Sequence, residues 1–170
     1  MLNIVKINLA GRRVDGDDAD GIASTLSRTG DPREVLGGPL LYTWVLLAAS
    51  LFFFRSAPAA VGVAQMAVGD GLADIVGRRF GAKKWFFNAD KSYAGSLAFV
   101  GGAGLASFGL LKWFGLAPGF DASLIGGVLG LSCACALVEV LPPLGFIDDN
   151  LSVPAAGAAL ALLLPISAPN

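Results

Sequence analysis

The chain has 170 residues, of which 55% are hydrophobic and only 15% charged, with a mean hydropathy of +0.68 and a net charge of −1. A soluble domain of this size rarely runs so apolar with so few charges, so composition sets the class as an integral membrane protein. Histidine is absent, which excludes imidazole bases, His-based triads and HExxH zinc sites and leaves carboxylates, lysine and arginine for any chemistry.

Residues 1–38 form the one long polar portion, ahead of an apolar domain over 39–170. Asp15-Gly-Asp17-Asp18-Ala-Asp20-Gly has the look of a calcium loop, but Ala19 and Leu26 stand where two ligands belong, so it reads as a solvated acidic loop. Gly30-Asp31-Pro32 carries turn and helix-start chemistry. The start shows neither a cleavable secretory pattern nor the composition of a transit peptide.

About five transmembrane segments follow, giving an all-α, multi-pass fold: Pro39–Phe54, Ala57–Val76, Tyr93–Leu116, Ala122–Leu141 and Leu151–Ile166. Glycine and alanine are abundant within them and predict close helix packing. Cys133 and Cys135, two apart, point in different directions on a helix and read as packing residues. No GxxxxGK[ST] loop or complete dinucleotide fingerprint occurs.

Segment two contains Asp70 and Asp74, four apart and so on one helix face. Ionisable groups at membrane depth are costly and usually functional, although such acids can also pair with a nearby arginine. Directly behind them come Arg78, Arg79, Lys83, Lys84 and Lys91. Asn88, Asp90 and Lys91 precede Ser92, which reads as the cap of segment three.

Basic residues cluster before segment one (Lys6, Arg12, Arg13, Arg28, Arg33) and in the 77–92 loop, while Arg55 and Lys112 are isolated. That alternation puts the amino terminus and the loop on one positive side, to which the stretch Pro142–Asn150 returns if all five segments span. Glu139, Asp148 and Asp149 then face the basic loop. Five carboxylates and five cations at one surface point to a polyphosphate held through a divalent metal, with Mg²⁺ the natural ion for hard oxygen ligands. The basic loop is too short and too membrane-tethered for nucleic-acid binding.

At these residues the chain resembles a known family. GDGLADIVGRRFG, NADKSYAGS, VEVLPP and IDDNLSVP, with SRTGDPREVLGGPLLY ahead of them, are similar to the polyprenol kinase family and most of all to its phytol kinase and farnesol kinase branch. The resemblance covers about Ser27 to Leu160. It implies transfer of the terminal phosphate of a nucleoside triphosphate, typically CTP, to an isoprenoid alcohol drawn from the bilayer, with phytol recycling toward tocopherol in a chloroplast membrane as the expected setting. By position, Asp70 and Asp74 correspond to the acidic pair of the GDGxAD motif, together with Gly69 and Gly71. Arg78, Arg79, Lys84 and Lys91 correspond to phosphate-handling cations, with Ser92, Gly95 and Ser96 in KSxAGS. Glu139, Asp148, Asp149 and Asn150 match the late acidic motif, and Asn88 the asparagine ahead of KSxAGS. Two departures stand out. Trp85-Phe86-Phe87 replaces the proline and tyrosine usual before that asparagine, and the family's upstream helices are expected to be missing here.

The readings set against one another are a kinase for phytol, one for farnesol, geranylgeraniol or dolichol, a cytidylyltransferase acting on a lipid phosphate, an ion-coupled transporter subunit and an inactive fragment. One phosphate or a whole CMP in the product separates the first classes. Solute movement without nucleotide consumption marks the transporter.

Overall fold

A computed structural model describes residues 38–117, 119, 121–141 and 149–165. The acidic loop 15–20, the Asp31-Pro32 turn, Pro142-Pro143, Asp148 and Ile166 lie outside these residues. The chain divides into two units, Met1–Ala48 and Ala49–Asn170, with the division falling inside the first described helix. That helix, α1, runs Gly38–Phe52.

The second unit is a helix bundle. Ser56 accepts from the Ala59 amide at 3.3 Å, and Pro58 sits in the first turn of α2 (Ala57–Ala64). The chain then passes through a π-helical turn, Gln65–Asp70, into α3 (Gly71–Phe80). Together these make one continuous span of 24 residues. It outlasts the expected end at Val76 because Arg78 and Arg79 occupy its last turn, where cations favour the exposed carbonyls.

A two-stranded antiparallel hairpin follows, β1 (Lys84–Trp85) against β2 (Asn88–Ser92). It is a small β element in an otherwise helical bundle, formed just ahead of the expected helix cap at Ser92. Trp85 seeds it by stacking on Tyr93 at 4.1 Å between ring centres and lying 5.5 Å from Phe87.

Helix α4 (Tyr93–Trp113) begins on Ser92, whose Oγ accepts from the Gly95 amide at 3.1 Å, and closes at Gly115 with φ +71°. Helix α5 (Ala122–Val140) is capped by Asp121, which accepts from the Leu124 amide at 2.6 Å. Helix α6 covers Asp149–Ala161. Three spans, Ala57–Phe80, Tyr93–Trp113 and Ala122–Val140, are long and apolar enough to cross a membrane. The outer two expected segments form shorter apolar helices, Pro39–Phe52 and Asn150–Ala161.

Phe99, Leu111, Val61, Leu124, Val128 and Val153 fill the interior. Small residues set how closely the helices approach. A Cβ on Gly69 would stand 2.9 Å from the Phe99 ring, and one on Gly62 would stand 2.8 Å from the Pro154 carbonyl. Outward-facing Leu97, Leu105, Leu137 and Leu163 remain exposed, as expected where lipid takes the place of core.

Candidate active site

The site is assembled where α3 meets the start of α4. Glycines permit that meeting. A Cβ on Gly95 would fall 2.8 Å from the Ala73 carbonyl, and one on Gly81 would run into Ser92 Oγ. Both motifs therefore owe part of their glycine content to one close helix crossing. Gly69 belongs to the same contact, one turn deeper. Gly71 differs, since among the described residues nothing outside its own helix lies within 4 Å of a Cβ built there.

Asp70 closes the π-helical turn, half-buried, and Asp74 lies in the first turn of α3. Asp74 Oδ1 accepts from Arg78 Nε at 2.8 Å, an ion pair one turn along the same helix. Arg79 and Lys84 are exposed and make no ion pair among the described residues. Lys83 sits over the Tyr93 ring at 5.5 Å.

The hairpin is fastened to the far end of α5. Lys91 Nζ reaches Glu139 Oε1 at 2.5 Å, and Asn88 Nδ2 donates to the Val140 carbonyl at 2.9 Å. The expected meeting of Glu139 with the basic loop is therefore present. Helix α6 runs back antiparallel to α5, with Cys135 against the Val153 carbonyl and Gly127 against Leu164. Its first residues, Asp149 and Asn150, thus start at the same end of the bundle as Glu139.

The KSxAGS residues serve mainly as framework. Ser92 is buried as a helix cap, and Gly95 forms the crossing. Ser96 Oγ accepts from Trp85 Nε1 at 3.1 Å and donates to the Ser92 carbonyl at 3.2 Å. Of the carboxylates expected to pool around a metal, Asp148 lies outside the described residues, while Asp70, Asp74 and Glu139 lie among them. No three carboxylate or thiol groups gather there, and Glu139 is engaged by Lys91. Asp70 and Asp74 lie one helical turn apart where the π-helical turn passes into α3. Two such carboxylates could hold Mg²⁺, which typically takes one or two carboxylates and completes its octahedron with substrate phosphates and water.

Two residues take roles that the sequence did not assign to them. Trp85 is fixed to Ser96 by its indole N–H. Gln65, a single amide within an apolar run, hydrogen-bonds across the bundle. Its isolation among apolar neighbours was the signal that could have singled it out.

These features define a helical membrane protein with an acidic pair beside a cationic hairpin. Known proteins narrow the class. The chain is 41% identical over 157 residues to probable phytol kinase 2, chloroplastic, of Oryza sativa subsp. japonica, covering 90% of this chain and 51% of that protein. It is 40% identical over 166 residues to farnesol kinase, chloroplastic, of Arabidopsis thaliana, covering 96% and 53%. It is 37% identical over 165 residues to probable phytol kinase 1, chloroplastic, of Glycine max, covering 95% and 54%. No protein-family model matches the chain, and no solved structure does. The chain is thus related, over nearly all its length, to the phytol kinase and farnesol kinase branch. It spans about half the length of the curated relatives it matches.

Proposed function

We propose that this chain carries the phosphotransfer site of an isoprenoid-alcohol kinase, with phytol as the first candidate acceptor, CTP as donor and a chloroplast membrane as its setting. The observation that carries the reading is the docking of the basic hairpin onto the end of α5 through Lys91 and Glu139, beside the helix that bears Asp70 and Asp74. The relatives named phytol kinase and farnesol kinase support the acceptor class.

Exposed Arg79 and Lys84 offer charge to a triphosphate, and Arg78 joins them when its weak pair with Asp74 opens. Mg²⁺ held by Asp70 and Asp74 would neutralise charge on the transferring phosphate. An alcohol arriving from the lipid presents its hydroxyl at the depth of the acidic pair. The hydroxyl oxygen attacks the terminal phosphorus, the bond to the bridging oxygen breaks, and CDP leaves. A carboxylate of the pair takes the hydroxyl proton.

The test supplies membranes containing the chain with γ-labelled CTP and phytol, with and without Mg²⁺, for wild type and Asp70→Asn. The expected result is labelled phytyl phosphate from wild type with Mg²⁺ and none from the variant. Equal label in both would remove Asp70 from the chemistry. A CMP-containing product from a lipid phosphate would replace the kinase with a cytidylyltransferase.

A further inference from the structure

Gln65 opens the π-helical turn with none of its surface exposed. Its Nε2 donates to Ser107 Oγ of α4 at 3.1 Å and to Ser132 Oγ of α5 at 3.0 Å. Its Cγ lies against α6, where a Cβ on Gly157 would come within 3.0 Å. One side chain therefore meets each of the other three helices of this core, two through its amide and α6 through its methylene stem. Its Oε1 has no hydrogen-bond partner among the described residues, so the attachment is made through its donor.

A methionine or leucine would fill this space without placing an amide in an apolar interior, where unbonded polar atoms are costly. The joined helices are those that carry the site. Asp70 follows Gln65 by five residues, α4 begins on Ser92, and α5 ends beside Glu139. The intervening turn is π-helical, a geometry that is rare, persists where its surroundings hold it, and frequently marks functional positions. Its relaxation to ordinary α-helix would rotate everything downstream relative to α2 by about 100°, the angular step of one residue. The helix pair keeps one antiparallel register throughout, with Gly77 against Gly95, Gly69 against Ala103 and Gln65 bonded to Ser107. Gln65 is the deepest tie in that series and the one made by directional bonds.

We infer that Gln65 is a positioning residue: its paired hydrogen bonds to Ser107 and Ser132 hold the rotation of the π-helical turn and so set the direction in which Asp70 and Asp74 project. This role rests on the kinase reading.

The test compares wild type, Gln65→Met, the double variant Ser107→Ala/Ser132→Ala, and all three changes together, each as the full chain in membranes. It reads kcat and KM for phytol phosphorylation alongside thermal stability. Positioning predicts a kcat lower by about tenfold or more, because small misplacements of reacting groups are costly. KM for phytol should stay within about twofold. The combined variant should be no worse than Gln65→Met alone, since the three side chains act as one unit. A packing role would lower the melting temperature and leave both constants of the folded protein unchanged, which would overturn the inference. If Gln65→Met does not accumulate, Ser132→Ala removes one bond alone and must still lower kcat. Wild type that forms no phosphorylated lipid overturns the kinase reading, and this role with it; active wild type beside an unaltered variant overturns this role only.

Discussion

Two ion pairs flank the candidate site and differ in nearly every respect. Arg78 and Asp74 are neighbours on one helix, 65% and 43% exposed at their side chains. Lys91 and Glu139 are 48 residues apart, and the Glu139 side chain is 3% exposed. An exposed pair four apart on a helix contributes about 0.3–0.5 kcal/mol and opens easily. A buried pair that loses one partner strands a charge away from water, at a cost of about 3–5 kcal/mol. The weak pair can therefore exchange its partner for a substrate phosphate or a metal. The strong pair fastens the hairpin to the end of α5, so the two pairs should differ sharply in what their loss costs.

The largest effect on stability is expected from Lys91→Met, which leaves Glu139 buried without its cation. Stability in detergent should fall by about 3–5 kcal/mol, read by thermal or denaturant unfolding. Removing both charges, as Lys91→Met with Glu139→Leu, should restore most of that loss, because matched apolar groups often replace a buried pair without penalty. Equal losses in the single and double variants would break the contrast between the two pairs.

Gly81→Ala comes next. The added methyl would run into the Gly77 carbonyl one turn back on α3 and into Ser92 Oγ across the helix crossing. Overpacking of this kind costs about 1–3 kcal/mol. The hairpin should loosen with it, so limited proteolysis between residues 82 and 91 should speed up. Unchanged proteolysis would mean that the crossing and the hairpin are independent.

Asp74→Asn should separate chemistry from architecture most directly. It removes an exposed pair, so stability should move by no more than about 0.5 kcal/mol. Loss of a proton acceptor or metal ligand should lower product formation by about 100-fold or more. A variant that is destabilised yet still active would reverse the assignment of the two pairs.

The helical class, three long spans and the meeting of Glu139 with the basic loop were legible because each follows from patterns that survive in one dimension. Apolar length, the alternation of basic residues and a late acid at a helix end carry that information. The hairpin was hidden because it depends on Trp85 finding Tyr93 and Ser96, contacts that no local period announces. The π-helical turn was hidden for a related reason: its residues, QMAVGD, have no distinctive spacing, and tertiary packing holds the turn. Lys91 and Glu139 could each be assigned to the positive end. Their mutual pairing depended on three-dimensional register.

Gly71→Ala is the one change here expected to leave stability unharmed or raise it, and it tests what the open glycine is for. Gly71 stands between the two acids, next after Asp70 and three before Asp74, yet among the described residues nothing outside its own helix lies within 4 Å of a Cβ built there. Unlike Gly81 and Gly95, it answers no packing demand. Within a helix, alanine is favoured over glycine by about 0.5–1 kcal/mol, so the variant should fold as well as wild type or slightly better. If the space beside the acidic pair receives the alcohol or the triphosphate, the methyl enters that space and raises KM for one of them by about 10-fold, in the range that one methylene commands in a shaped pocket. Kinetics with each substrate varied in turn identifies which one occupies the face. A stabilised variant with both KM values unchanged would leave the acids to be approached from another side of the helix, and would move the substrate path away from Gly71.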